Sequence, residues 1–401
     1  MSQIRRISTL LWLFSAGTPG FLVAQAPAAA EALVNRVLRT TPLIDGHNDL
    51  PWRIREDTLM TRDVEAYDLR RPTPGHTDLA RLRAGKVGAQ FWSVYIPGDF
   101  RDSGYARVQL EQIDIARRVI AKYPEALRFV TTARGIREAF AAGRIGSLLG
   151  MEGGHSIENS LGALRAYYDL GVRYMTLTHN VTLDWADAAS GEQRHGGLTP
   201  FGREVVREMN RLGMLVDLSH VSPGVMSDAL TVTEAPVIFS HSGARAVVNH
   251  GRNVPDSILV RVARNGGVVM VPFVPGFVSP AVRAWSDSGA GRRTGPAPRA
   301  TIAEVANHID HIRKVAGVDH VGIGADFDGI SETVQGLGDV STYPALFLEL
   351  VRRGWTEPDL RKLAGENLLR AMERAEQAAA RLARERPPST RTIEELDRPR
   401  R

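Results

Sequence analysis

Eight short apolar segments recur along the 401-residue sequence and alternate with amphipathic segments. The short segments are rich in β-branched residues and are flanked by glycine or proline, which favours strands over buried helices. A strand followed by a helix, repeated about eight times, predicts an α/β protein with a parallel sheet covered by helices. The predicted strands are residues 42–44, 89–96, 145–150, 173–178, 214–218, 236–239, 267–273 and 320–324.

Helix-capping signals separate the predicted strands. Asn159 is a predicted cap for a helix over residues 160–170, and Thr199 precedes a proline that begins another helix. Thr301 and Glu304 have the spacing of a capping box. The alternation fits either a closed (β/α)8 barrel or an open doubly wound sheet. Because no G-x-G-x-x-G follows the first strand and the strands number eight, we predict a (β/α)8 TIM barrel.

Polar side chains follow the ends of the predicted strands. In "DGHND", His47 and Asp49 are two positions apart, so in an extended chain both point to one side, with Cα atoms roughly 7 Å apart. Glu152 lies in "MEGGH", and His220 and His241 end "DLSH" and "FSH". An H-x-D pair alone also fits a turn capped by aspartate. The carboxyl ends of barrel strands face one mouth, however, so the five residues are expected to converge.

The five converging residues offer ligands for a metal centre. Histidine and carboxylate ligands without sulfur suit zinc, with manganese, cobalt or iron as substitutes. The set is large enough for two ions, which predicts a barrel of the metal-dependent hydrolase type. Many such barrels bridge their ions with a modified lysine, but the four lysines here lie in predicted helices or at the wrong end of a strand. Glu152 is therefore predicted to bridge metals about 3.5–4 Å apart.

Longer stretches of sequence extend these motifs from about residue 42 to residue 371. They read "DGHNDLPW", "RLRAGKVGAQFWSVY", "MEGGHSIENS", "RYMTLTHN", "DLSHVS", "PVIFSHSGAR", "RNVPD" and "HVGIGADFDG". Together, and in this order, they resemble the membrane (renal) dipeptidase family of zinc peptidases. The resemblance implies a (β/α)8 barrel with two Zn²⁺ per chain that cleaves dipeptides, both L,L and L,D, with free amino and carboxyl termini.

The resemblance also implies how the five ligands are divided. One zinc would be held by His47 and Asp49 and the other by His220 and His241, with Glu152 bridging the two. A hydroxide that bridges the same two ions would attack the peptide carbonyl. Glu152 therefore belongs to the expected catalytic residues as well as to the metal ligands.

Three further positions match functional residues of the family. His179 in "LTHN" matches the substrate-binding histidine and would stabilise the oxyanion. Arg252 in "RNVPD" matches the arginine that binds the substrate carboxylate, and Asp326 in "GADFDG" matches the catalytic aspartate that would transfer the proton. Two other functions stay open: a binuclear-metal hydrolase acting on β-lactam, lactone or N-acyl-amino-acid bonds, and a non-catalytic metal- or peptide-binding protein.

The ends of the sequence differ from its middle. Residues 1–26 combine two arginines, an apolar run and an Ala-Gln-Ala site, which predicts a signal peptide cleaved near residues 26–30. We therefore expect an exported protein, periplasmic or secreted, with an uncleaved membrane tether as the alternative. Residues 27–375 are predicted to form a single catalytic domain. Residues 376–401 are predicted to form a charged tail, partly helical and frayed at its end.

Composition restricts the expected partners. The net charge of +5 is spread thinly without a Lys/Arg block, and aromatic residues make up only 6% of the sequence, so no nucleic-acid partner is expected. Because the sequence contains 0 cysteines, it can form no disulfide. The expected partner is a dipeptide substrate, and the family resemblance also implies a homodimer.

Overall fold

The computed structural model describes residues 27–100, 104–289 and 295–397. In this part of the chain a parallel sheet closes on itself, because β2 pairs with both β1 and β4 and β1 also pairs with β9. The strands are β1 Leu43–Asn48, β2 Val87–Ser93, β3 Leu127–Phe129, β4 Ile145–Glu152, β5 Val172–Thr176, β6 Leu215–Asp217, β7 Ile238–Phe239, β8 Val268–Val271 and β9 Val321–Ile323. Eight of them form the predicted (β/α)8 barrel, which is therefore confirmed.

The strand β3 is an addition to the prediction. Its three residues pair with the first half of β4, while the eight predicted strands make the closed ring. The other eight strands all overlap the predicted segments, with ends that differ by up to a few residues. Residues of β2 and β4 are buried throughout, because side chains fill the barrel on one face and helices cover the other.

Helices surround the barrel, and most of the connections between strands contain at least one. The helices are α1 Pro27–Thr40, α2 Leu50–Arg55, α3 Leu79–Ala84, α4 Tyr105–Lys122, α5 Ala133–Ala141, α6 Leu161–Asp169, α7 Pro200–Leu212, α8 Pro223–Val232, α9 Asp256–Asn265, α10 Pro275–Val278, α11 Pro280–Asp287, α12 Ile302–Ala316, α13 Tyr343–Arg352, α14 Glu357–Arg361, α15 Asn367–Glu385 and α16 Ile393–Asp397. Within the described residues, none of these helices has the length and apolar character that crossing a membrane requires.

The predicted helix caps are confirmed with one correction. Thr199 caps α7 by accepting a hydrogen bond from the backbone N–H of Gly202 at 3.2 Å. The cap of α6 is Ser160, whose hydroxyl accepts from Ala163 N at 3.2 Å, and not Asn159 as predicted. Asn159 has a left-handed backbone with φ of 58°, whereas the extended backbone of Ser160 suits a capping position.

The predicted boundary at residue 376 falls inside α15, which continues without a break to Glu385. Leu382 of this helix is buried, and Asp397 accepts hydrogen bonds from Thr199 Oγ1 at 2.7 Å and from Phe201 N at 2.8 Å. As far as Asp397, then, the segment predicted as a charged tail, partly helical and frayed at its end, packs on the barrel, because α15 has an apolar face that contacts α7. The predicted signal peptide, residues 1–26, lies outside the described residues.

Candidate metal centre

The five predicted ligands are brought to one place by the carboxyl ends of four strands. His47 lies near the end of β1 and Asp49 directly follows it, while Glu152 is the last residue of β4. His220 follows β6 by three positions and His241 follows β7 by two. All five side chains are buried. The convergence expected from barrel geometry is therefore present.

The side chain of Glu152 lies between two pairs of ligands. Its Oε1 atom is 3.0 Å from His220 Nε2 and 3.4 Å from His241 Nε2. Its Oε2 atom is 3.5 Å from His47 Nε2, which in turn is 3.2 Å from Asp49 Oδ2. Two groups with metal-ligand spacing result, and Glu152 belongs to both. The carboxylate thus offers one oxygen to each group, as a bridging ligand does.

The donor atoms fit a divalent cation. Among the described residues, the buried atoms His47 Nε2 and Asp49 Oδ1 have no hydrogen-bond partner, and His220 Nε2 faces His241 Nε2 at 2.9 Å. Buried polar atoms without a partner are unfavourable, and nitrogen and oxygen lone pairs directed at one point are what zinc binds. A third possible group joins His47, His241 and Asp326.

Hydrogen bonds at Nδ1 orient each of the three histidines. Tyr174 Oη is 2.8 Å from His47 Nδ1 and donates to Gly46 O at 3.2 Å, so it accepts from the ring. Asn180 Oδ1 accepts from His220 Nδ1 at 3.2 Å. With Nδ1 protonated, each Nε2 atom keeps a free lone pair that points at Glu152. Gly150 makes room for Tyr174, because a Cβ at this position would lie 2.0 Å from Tyr174 Cζ.

His241 is oriented through Ser240 and Asp217. Ser240 Oγ donates to Asp217 Oδ2 at 2.6 Å and so accepts from His241 Nδ1 at 2.9 Å. Asp217 is fully buried and also accepts from Thr176 Oγ1 at 2.5 Å and from Ser240 N at 2.8 Å. The carboxylate therefore fixes the direction of the serine hydroxyl, and the hydroxyl fixes the tautomer of the histidine.

Ser240→Ala is expected to weaken the binding of zinc by about 10- to 100-fold, because His241 loses the acceptor that holds its tautomer. Affinity would be measured by competition with a chromophoric chelator. Ser147→Ala is the matched control, since Ser147 is a buried barrel serine whose hydroxyl donates to Ile145 O at 3.3 Å. Equal zinc affinities of the two variants would contradict the role given to Ser240.

The other three predicted residues also line the cavity at the mouth of the barrel, which has a volume of about 940 Å³. His179 Nε2 lies 4.0 Å from Glu152 Oε1, and its ring packs 4.3 Å from that of His220. Asp326 Oδ1 lies 4.0 Å from His47 Nε2. The eight predicted residues therefore share one site.

Three contacts position Arg252 at the wall of this cavity. Its Nη1 donates to Ser242 Oγ and its Nη2 to His241 O, both at 3.4 Å, and its guanidinium lies 5.3 Å from the ring centre of Phe277. The side chain is buried, and in the described residues its Nε has no hydrogen-bond partner. A guanidinium held in this way is ready to bind a carboxylate.

Burial shifts the protonation of the residues around the centre. It lowers the pKa of Arg252 to about 10, which leaves the guanidinium charged near neutral pH. Burial also lowers the pKa of His179, as does the nearby Arg252, although Glu152 opposes the shift. Burial raises the pKa of the Asp326 carboxyl well above its ordinary value, with His47 opposing.

Two of the eight predicted site residues have a backbone conformation that side chains with a Cβ rarely adopt. His220 has φ of 66° and Asp326 has φ of 67°. A left-handed backbone costs of order 1–3 kcal/mol for most residues and tends to occur where function requires it. Directing these two side chains into the mouth of the barrel therefore lowers the stability of the folded protein.

Several cavity residues were not predicted from the sequence. They are Trp52, Arg53, Glu56, His76, Tyr95, Asn180, His250, Phe277 and Asp328, among others. The spacing of Trp52, Arg53 and Glu56 after Asp49 was an available signal, because it is that of one helix face. His155, adjacent to the "MEGG" turn, hydrogen-bonds to Ile96 O at 2.9 Å and belongs to none of the ligand groups in the described residues.

Comparison with known proteins shows the family and the fold. The family model for Membrane dipeptidase (Peptidase family M19) matches residues 31–386. The probable dipeptidase PvdM from Pseudomonas aeruginosa has the same fold, with a TM-score of 0.77 at 22% identity over 88% of this chain and 100% of that one.

Two solved structures are more similar in sequence. A metallo peptidase from Rhodobacter sphaeroides, liganded with a phosphinate mimic of the dipeptide L-Ala-D-Ala, is 27% identical over 84% of this chain and 99% of that one, with a TM-score of 0.72. The dipeptidase AC, a metallo peptidase, is 29% identical over 84% of this chain and 99% of that one, with a TM-score of 0.73. The family match over residues 31–386 confirms the resemblance seen in the sequence, and the chain therefore belongs to the membrane dipeptidase family, peptidase family M19, and is a metallo-dipeptidase.

Proposed function

We propose that this protein hydrolyses dipeptides with free amino and carboxyl termini, including those with a D-residue at the carboxyl side, and that it uses two zinc ions. The observation that carries the proposal is the position of Glu152, with one oxygen near His220 and His241 and the other near His47. The phosphinate mimic of L-Ala-D-Ala bound by the Rhodobacter sphaeroides relative supports the substrate class.

The number and type of ions follow from the ligands. His47 and Asp49 would hold one ion, His220 and His241 the other, and Glu152 both. Three imidazoles and two carboxylates without sulfur favour zinc. When bound there, such ions would lower the pKa of a water molecule and polarise the peptide carbonyl.

The protein's own residues would bind the substrate and move its protons. Arg252 would receive the α-carboxylate in a bidentate pair, and this fixes where the scissile carbonyl lies. His179, neutral because of burial, would donate a hydrogen bond to the oxygen on which negative charge develops. Asp326 would accept the proton of the attacking water and return it to the leaving nitrogen, which departs as an amine.

A panel of dipeptides tests this function. L-Ala-L-Ala, L-Ala-D-Ala and L-Ala-L-Ala-L-Ala would be incubated with zinc-loaded and with chelator-treated protein, and the products identified by mass spectrometry. We expect chelator-sensitive cleavage of both dipeptides and little cleavage of the tripeptide, whose carboxylate lies one residue too far from Arg252. Turnover confined to lactones or N-acyl amino acids, or binding without turnover, would contradict the proposal.

Arg252→Lys is expected to lower kcat/KM for L-Ala-L-Ala by about 10²- to 10³-fold, because lysine cannot pair with the carboxylate through two parallel hydrogen bonds. The informative measurement compares L-Ala-L-Ala with its C-terminal amide. The wild-type protein should strongly prefer the free acid, and the variant should lose most of this preference. A variant that keeps the full preference would show that another residue binds the carboxylate.

We also propose that the protein is exported, and the support for this is the composition of residues 1–26. Expression of the full chain in a bacterium, followed by fractionation and N-terminal sequencing, tests the proposal. A periplasmic product beginning near residues 27–31 is the expected result, and an unprocessed chain in the membrane fraction would favour a tether instead.

A further inference from the structure

Helix α2 presents one face to the active-site cavity. Asp49, Trp52, Arg53 and Glu56 all line the cavity, and their spacing of three, four and seven positions from Asp49 is that of one side of a helix. The same short element that supplies a predicted metal ligand therefore also supplies a cation, Arg53, which the proposed hydrolysis does not use.

Arg53 has no ion-pair partner among the described residues. Its neighbour Arg55 does not line the cavity and pairs with Glu111 at 2.7 Å, whereas no carboxylate pairs with Arg53. The Arg53 Nε atom is buried and has no hydrogen-bond partner there either. Apart from Arg252, Arg53 is the arginine that lines this cavity in the part of the chain that the structure describes.

The stem of Arg53 is held in place by its surroundings. A Cβ added at Gly75 would lie 3.3 Å from Arg53 Cγ, so the backbone of this loop packs closely against the arginine. Tyr67 also lies near Arg53: burial raises the pKa of the tyrosine hydroxyl, and the positive charge of Arg53 offsets part of the rise. The guanidinium is therefore positioned at the cavity wall and does not extend freely into solvent.

Two carboxyl groups, those of Glu56 and Asp328, line the cavity together with Arg53. Glu56 is exposed at the rim and forms no ion pair with Arg53 in the described residues. The side chain of Asp328 is closed off from solvent; its Oδ1 accepts from the backbone N–H of His76 at 2.6 Å, and its Oδ2 has no hydrogen-bond partner in the described residues. An arginine at a cavity wall that has no ion-pair partner in the described residues favours an anionic group of the ligand.

The two arginines lie on different sides of the cavity. Arg53 follows β1 and Arg252 follows β7, and β8 and β9 separate these strands in the barrel. If Arg252 takes the α-carboxylate of the C-terminal residue, the N-terminal residue extends from the predicted metal ligands away from Arg252, toward α2.

We propose that Arg53 binds the side-chain carboxylate of an acidic residue at the N-terminal position, which makes Glu-Xaa and Asp-Xaa dipeptides preferred substrates. This inference rests on the proposed dipeptidase function.

The test compares kcat/KM for L-Glu-L-Ala with that for its neutral isostere L-Gln-L-Ala. In the wild-type protein we expect Glu-Ala to be favoured by about tenfold, because the charged group forms the stronger pair with arginine. In Arg53→Met the ratio should fall to about twofold or less, and in Arg53→Glu the preference should pass to L-Lys-L-Ala. Arg134→Met, at an exposed arginine of α5, should keep the wild-type ratio.

Any of the following results would contradict the inference. Equal kcat/KM values for Glu-Ala and Gln-Ala in the wild-type protein would show that Arg53 does not select an acidic residue. The same conclusion would follow if the Arg53→Met variant kept the preference for Glu-Ala. An equal loss on both substrates in Arg53→Met indicates that the arginine only supports the fold. A preference for L-Ala-L-Glu over L-Glu-L-Ala would exclude the N-terminal position. In all of these cases dipeptides are still cleaved, whereas a failure of the proposed function would leave every dipeptide intact.

Discussion

Glu152→Gln is expected to reduce kcat/KM for L-Ala-D-Ala by at least about 10⁴-fold, a greater loss than we expect from Arg252→Lys. An amide has one acceptor oxygen and one donor nitrogen, so it cannot offer a lone pair both to the His220 side and to the His47 side of the site. The amide nitrogen would also point toward a bound cation. Zinc per chain and steady-state rates are the two quantities to measure.

The control for this substitution is Glu158→Gln, which makes the same chemical change at an exposed position beyond the "MEGGH" turn. It should keep the wild-type rate and the wild-type zinc content. If Glu152→Gln retained both metal ions and more than about a tenth of the activity, the carboxylate could not be the bridge between them.

Asp326→Asn is expected to lower kcat by about 10²- to 10⁴-fold while leaving zinc content unchanged, because an amide cannot accept and return a proton. Asparagine suits this position structurally, since it tolerates the left-handed backbone that Asp326 has with φ of 67°. The variant should therefore fold with a melting temperature close to that of the wild-type protein, and stopped assays on L-Ala-L-Ala would give its rate.

Zinc analysis of the same variant separates two roles for Asp326. This residue also shares a group of possible ligands with His47 and His241. Loss of one zinc from Asp326→Asn would identify the aspartate as a metal ligand, and its effect on kcat could then not be assigned to proton transfer. Retention of both ions with a low kcat is the outcome that proton transfer requires.

The convergence of the five predicted ligands could be inferred because a parallel barrel brings residues that are distant along the chain to one end of the barrel. His220 and His241 each follow an apolar run, and once those runs are strands their ends must meet at the mouth. The spacing of His47 and Asp49 indicated a shared direction in the same way. The glycine at position 150 could not be explained from the sequence, because it is the ring of Tyr174 on the neighbouring strand that leaves no room for a side chain there.

The contacts that orient the ligands depend on residues that are distant in sequence. Tyr174 reaches His47 across 127 positions, and no local pattern connects them. Arg53 shows a similar limit: its spacing from Asp49 indicates a shared helix face, but no local pattern shows that the loop at Gly75 packs against its side chain. The domain boundary predicted at residue 376 falls inside α15 for a related reason. The many charged residues of this segment make the apolar positions that contact α7 difficult to recognise from the sequence.

A binuclear centre bridged by Glu152 is tested most directly by the metal content of the purified protein. The protein would be reconstituted with excess zinc, freed of unbound ions and measured by inductively coupled plasma mass spectrometry. We predict two zinc ions per chain in the wild-type protein, and in Glu152→Gln the loss of at least one. One ion or none in the wild-type protein, or two tightly bound ions in Glu152→Gln, would contradict such a centre.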